Sequence, residues 1–280
     1  MAKRDKYSKP GKGVKKNQPE KRAFFAFMDL YFSKFWNMIK INLIMFVCFI
    51  PLITALTLPL SGAVYIVGLM IIQALLLGPC LCGVSYLMRN YCAGSHAWVW
   101  SDFKDVFIDN YKYGFLMGVI DMVVVWLLYV ANNYYTKITG GIMGDIFSAV
   151  ITVVFALFIM INMYVYPMIV TFDNTFSSHL KNALVFTLAN LPKSVLAFVI
   201  DAVLSFGLGY LIYAVIPMPF SIVVMLILLM FFVFSFIGLI NMFAVWPSLK
   251  PHIVVEKEDE DCGTETLFSD ELIINDKEDE

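Results

Sequence analysis

Leu87-Met88-Arg89-Asn90-Tyr91 … His96-Ala97-Trp98-Val99-Trp100-Ser101-Asp102-Phe103 … Asn110-Tyr111-Lys112 is the longest polar break in a chain built of apolar runs. It holds two of the five tryptophans and one of the three histidines. On both sides of it lie runs that meet the roughly 17–25 apolar residues needed to cross a bilayer. The break is therefore a link between membrane hairpins. The whole chain agrees: 60% of its 280 residues are hydrophobic and 15% are charged. A soluble domain has about half and about a quarter. A membrane β-barrel would alternate apolar and polar residues in segments of about 10, and these runs do not. The fold class expected is an all-α, polytopic membrane helix bundle.

Working outward, residues 101–112 read as an amphipathic helix lying in the membrane interface. Ser101 would cap it and Asp102 would sit in its first turn. Phe103, Val106, Phe107, Asn110 and Tyr111 share one face, and Asp102, Asp105 and Asp109 the other. Downstream, helices are expected at 114–134, 142–168, 194–214 and 220–246, the last ending at Pro247. A second interfacial helix is expected near 178–191, capped by Ser178 and apolar along Leu180, Leu184, Leu188 and Leu191. Upstream, aromatic residues 23–37 suit a further interfacial helix. Helices at 40–58 and 63–88 follow, the first holding Pro51 and the second expected to kink at Gly78-Pro79. Turns are expected at 59–62 and 216–219. The six spans are joined to tails at 1–22, which is basic, and 251–280, which is acidic; both are expected to be disordered.

With both termini in the cytoplasm, every Lys and Arg but Lys137 lies inside, the positive-inside pattern expected of a multi-pass membrane protein. The basic tail has two readings: a topology determinant, or a segment that binds anionic lipid at about 1 kcal/mol per basic residue. Leu272-Ile273-Ile274 in the acidic tail has the composition of a docking motif.

The chain repeats. A shift of 80 residues superposes Asn110 on Asn190, Val119-Ile120-Asp121 on Val199-Ile200-Asp201, and Val165-Tyr166-Pro167 on Val245-Trp246-Pro247. Asn162-Met163 and Asn241-Met242 match with a displacement of one. The repeat units, at about 100–167 and 180–247, each pair an interfacial helix with a hairpin. Residues 24–90 read as a diverged first copy with Asn42 in place of the acid. Asp121 and Asp201 lie about 12 Å below the inner surface, near the middle of a ~30 Å core. An acid there costs about 2.5–3.5 kcal/mol to insert and must face the bundle interior, protonated or held by partners. Asn162 and Asn241 return to the same depth. Two readings stand: Asp–Asn hydrogen bonds locking each hairpin, or a proton or cation relay of a small transporter or channel.

No catalytic motif, cofactor loop or nucleic-acid-binding pattern is present in the sequence. Cys80, Cys82, Cys92 and His96 match no common zinc spacing, and the five cysteines read as small buried hydrophobes. No enzyme activity, cofactor or metal is therefore expected. Arg89, His96, Trp98, Trp100, Asp102 and Phe103 form a candidate cytoplasmic docking loop. Its tryptophans serve equally as interfacial anchors or as a platform for a partner.

Gly78-Pro79, Tyr86-Leu87-Met88-Arg89-Asn90, the His96–Phe103 stretch, Asn110-Tyr111-Lys112, Asn42-Leu43 … Cys48 … Pro51, Lys181-Asn182-Ala183 and Asn190-Leu191-Pro192 resemble the signature regions of the YesL family. The resemblance covers about residues 24–247, and the Trp-Ser-Asp-Phe loop is its most specific part. The stretch at 55–77 is longer than in short members. The family comprises small bacterial membrane proteins of unknown function, whose genes often lie beside ABC-type carbohydrate uptake systems. The resemblance implies an accessory role beside such a transporter; it carries over no catalytic residue.

Overall fold

The computed structural model describes residues 22–57, 63–139, 141–218 and 220–252. Residues 1–21, 58–62, 140, 219 and 253–280, with Leu272-Ile273-Ile274 among them, lie outside the described residues. All regular structure among those described is helical: α1 (Ala23–Ser33), α2 (Phe35–Thr57), α3 (Ala63–Cys92), α4 (Val99–Asp109), α5 (Tyr111–Tyr134), α6 (Gly141–Ile169), α7 (Phe176–Ala189), α8 (Leu191–Ala202), α9 (Leu208–Val215) and α10 (Phe220–Leu228). Three π turns, Tyr135–Thr139, Val203–Gly207 and Leu229–Val233, extend or join them. Six of the resulting helices are long and apolar enough to cross a membrane, the fifth running Leu191–Val215 and the sixth Phe220–His252.

The chain is three copies of one plan, a short helix followed by a hairpin. In each copy a single residue separates the short helix from the outgoing span. Lys34, Asn110 and Asn190 adopt nearly the same backbone angles there, φ/ψ of −113/18°, −98/12° and −113/30°. These lie in the sparsely populated bridge region, which ends one helix while letting the next start at once. Asn110 and Asn190 also bond alike: each amide donates to the carbonyl four residues back, Val106 at 3.2 Å and Phe186 at 3.1 Å. The short helices all lie at one end of the bundle, the near end. The aromatic stretch expected as one helix over 23–37 is thus cut at Lys34, and α2 begins at Phe35.

Buried residues gather toward the near end. Phe27, Tyr31, Ile41, Leu87 and Leu239 anchor one apolar cluster; Met117, Tyr164, Ala183, Val245 and Leu249 anchor a second. The tightest crossing joins α3 to α5. A Cβ placed on Gly78 would land on the Gly114 carbonyl, and one on Gly118 would come within 2.8 Å of the Gly78 nitrogen. Gly114-x-x-x-Gly118 is the small-residue spacing that lets membrane helices touch backbone to backbone. Gly78-Pro79 therefore serves as a contact surface within one continuous α3.

Several expectations need correction. The sixth span continues through Pro247 to His252 instead of ending there. Helix α4 starts at Val99, so Ser101 lies inside it and caps nothing; the Asp102 carboxylate instead accepts the Trp98 backbone N–H at 3.0 Å. In α7 the buried stripe is His179, Ala183 and Thr187, while Leu184 and Leu188 face outward. Small or polar residues on the inner face let α6 approach, and Thr187 reaches the Met160 carbonyl at 3.4 Å. Cys48 and Cys80 are joined across α2 and α3; of the four cysteines among the described residues, Cys82 is a buried free thiol and Cys92 a half-buried one.

Candidate functional site

In the second copy, α5 carries Asp121 inward and α6 carries Asn162 and Tyr166. Spaced by four, the last two share a helix face. Asn162 Nδ2 donates to Asp121 Oδ1 at 2.9 Å, and the Tyr166 hydroxyl donates to Asp121 Oδ2. Asp121 is only 7% exposed, so two donors on its two oxygens are what make its burial tolerable. In the third copy Asn241 lies near Asp201, and Oδ1 of Asp201 is buried without a partner. Trp246 stands where the second copy has Tyr166 and offers no hydroxyl. Sequence reasoning named both acids and both asparagines and missed Tyr166; its position four residues from Asn162 was the available signal.

The first copy departs further. Asn42 reaches from α2 to the sixth span, donating to the Phe231 carbonyl at 2.9 Å and to Ser235 Oγ at 2.7 Å. Its Oδ1 accepts the Ser235 backbone N–H at 2.7 Å. In an α-helix Ser235 N–H would bond Phe231 C=O. Here the Asn42 amide is inserted between those two groups, beside the π turn Leu229–Val233.

A cavity of about 360 Å³ lies where α2, α3, α5, α6 and the sixth span converge. Its wall is mostly Met, Phe and aliphatic side chains, with Ser85, Asp121, Asn162, Tyr166 and Asn241 as the polar groups. Asp201 does not line it. The intramembrane residues singled out from sequence are thus divided: Asp121, Asn162 and Asn241 meet at one cavity, and Asp201 stands apart.

The docking-loop residues divide as well. Trp98 and Trp100 are 71% and 70% exposed, and His96 packs its ring 5.1 Å from that of Trp98. Phe103 is buried, filling the space left by the missing side chain of Gly83. Arg89 is also turned inward. It donates to the Val170 carbonyl at 2.9 Å and Thr171 Oγ1 at 3.1 Å and lies over the Tyr86 ring. A cation on the last carbonyls of α6 suits the helix dipole there. Arg89 and Phe103 therefore hold the loop in place, and the outward surface is His96, Trp98 and Trp100.

Below the loop a second cavity of about 440 Å³ is lined by Asp109, Asn110, Tyr113, Asp173, Asn174 and His179, among others. Burial lowers the pKa of His179, opposed by a hydrogen bond to the Asn174 backbone and by the Asp173 charge. Among the described residues no three His, Cys, Asp or Glu side chains gather as metal ligands.

The chain matches no family model, no curated protein and no solved structure. Fold and site define its class: an integral membrane protein, a polytopic bundle of six apolar helices.

Proposed function

We propose that this protein is a non-enzymatic accessory component of the bacterial plasma membrane that docks a partner through its near end, which faces the cytoplasm. The observation that carries this reading is the exposed pair Trp98 and Trp100 on a helix fixed from beneath. Phe103 is seated against Gly83, Asp102 closes the first turn of α4, and Arg89 clamps the end of α6. Rigid exposed aromatics lose little entropy on contact and are the commonest anchors of protein interfaces. The resemblance to the YesL family rests on the residues quoted above, and it makes a subunit of an ABC-type carbohydrate uptake system the partner to seek. The rival, coupled transport through paired acids, is weakened because Asp121 and Asp201 do not line a common cavity.

The test is photo-crosslinking in native membranes from positions 98 and 100, with position 36 as the control, since Trp36 is equally exposed on the near end of α2. The expected result is a subunit of such a transporter captured from 98 and 100 and absent from 36. Lipid adducts alone at all three positions would sink the docking reading and leave the tryptophans as interfacial anchors.

A further inference from the structure

The cavity among α2, α3, α5, α6 and the sixth span is walled chiefly by pliable apolar side chains. Four methionines, among them Met45 and Met88, and four phenylalanines, among them Phe158 and Phe234, line its space of about 360 Å³. The polar lining offers no free charge to a guest. Asp121 is the only acid there, and each of its oxygens already has a donor, Oδ1 the Asn162 amide and Oδ2 the Tyr166 hydroxyl. Oδ1 of Asn162 and Oδ1 of Asn241 are buried in the protein and turned from the space. No Lys, Arg or His among the described residues lines it. What hydrogen-bonding capacity remains is neutral: the Ser85 hydroxyl and an amide N–H on each of Asn162 and Asn241. The volume falls within the range of small-molecule sites, roughly 300–1,000 Å³. Left empty, such a space forfeits dispersion contacts for every side chain around it.

We propose that this cavity binds a compact, uncharged lipophile bearing an aromatic ring, taken up from the bilayer. Thioethers and phenyl rings both make favourable contacts with a guest ring, edge-on or offset. The three rotatable bonds of each methionine let the wall close around it. A straight acyl chain gains none of these ring contacts. A charged guest is the wrong complement. An anion would find no countercharge, and a cation would meet an acid already satisfied by two donors, while either would lose its hydration at membrane depth. The groups lie on membrane-spanning helices, away from the tryptophan surface of α4, so this inference does not depend on the docking reading.

The test uses the full chain in phosphatidylcholine nanodiscs, photolabelled with a neutral phenyl diazirine and mapped by mass spectrometry. Labelling of Met88, Phe158 and Phe234 should saturate and fall at least tenfold under excess naphthalene. Labelling of the outward-facing Val150 and Leu196, which reports bulk lipid, should do neither. Naphthylmethylamine and naphthoate carry the same two-ring body with opposite charges. At matched membrane concentrations each should compete at least tenfold more weakly than naphthalene. Gly238→Leu places a side chain in the cavity, where its Cβ would meet only side-chain atoms of Met88 and Val84, at 3.6 Å and beyond. It should remove the saturable labelling and spare that of Val150 and Leu196. If this variant fails to fold, the competition series on the unaltered chain decides alone. Cavity labelling that does not saturate, competition by the amine or the acid equal to that by naphthalene, or saturable labelling unchanged in folded Gly238→Leu would each overturn the proposal.

Discussion

The second and third copies of the repeat start from the same plan and end in different states. Each has an asparagine at the break, an acid eleven residues later and an asparagine on the returning helix. In the second copy the acid takes two donors on its two oxygens. The far end of that hairpin is fastened again, Ser148 Oγ donating to Asn132 Oδ1 at 2.6 Å. Its outgoing helix meets α3 glycine to glycine. In the third copy the acid keeps an unpartnered oxygen, both legs contain π turns, and Gly207 and Gly209 meet only side chains of Val203 and Met225. A polar pair between membrane helices averages only about 0.6 kcal/mol, so the third hairpin gains little from the contact of Asp201 with Asn241. The comparison teaches that one plan can be fastened differently: the Tyr166 hydroxyl and the contact of Gly114 and Gly118 with Gly78 hold the second copy where the third has no equivalent.

The largest expected effect tests the glycine contact. Gly114→Leu forces backbone apart at the α3–α5 crossing and should cost about 3 kcal/mol. Gly207→Leu in the third copy, with only a Val203 methyl at 3.9 Å from its added Cβ, should unfold close to wild type. Thermal unfolding of the purified proteins, followed by size exclusion, reads both. Equal losses would erase the contrast between the copies.

A middle-sized effect is expected at Asn42. Asn42→Leu strands the Phe231 carbonyl and Ser235 N–H, or drives the turn back to a regular α-helix. Stranding should cost about 1–3 kcal/mol. Hydrogen exchange should then rise around 229–235 and stay unchanged in α5. Faster exchange spread evenly over both copies would show that Asn42 supports the whole bundle instead of the sixth span.

The smallest effect concerns His179 at the base of the third copy. Its folded pKa lies below the ordinary value of 6.5. The unfolded chain therefore takes up the proton first, and stability falls as pH drops through 6.5 toward the folded value. Below that value no further loss arises from this group. His179→Gln should flatten this part of the profile between neutral and mildly acidic pH in unfolding midpoints. A slope unchanged by the substitution would place the titrating group elsewhere.

Much of this architecture is legible in the sequence. Six spans follow from apolar length, and Asp121 with Asn162 and Asp201 with Asn241 follow from the 80-residue shift, because helix geometry returns equal depths to each other. The π turns were not legible. Nothing in Leu229-Met230-Phe231-Phe232-Val233 marks one; beside it sits the Asn42 amide, from 189 residues away. Orientation within the polar loop was also hidden. Arg89 and Phe103 look like surface anchors until the bare backbone at Gly83 and the open carbonyl of Val170 show where each goes. In α7 the leucines drew the eye to the wrong face, since an apolar stripe meets lipid as readily as protein, and the small residues opposite do the packing.

The inequality of the two acids is the central claim, and a pair of double-mutant cycles tests it most directly. Asp121→Asn with Tyr166→Phe, and Asp201→Asn with Trp246→Phe, are each measured singly and together by reversible unfolding in one detergent. The account predicts a coupling of about 0.6 kcal/mol or more between 121 and 166, the average for a polar pair between membrane helices, and none resolvable between 201 and 246. Equal couplings in the two cycles, or none in the first, would contradict it.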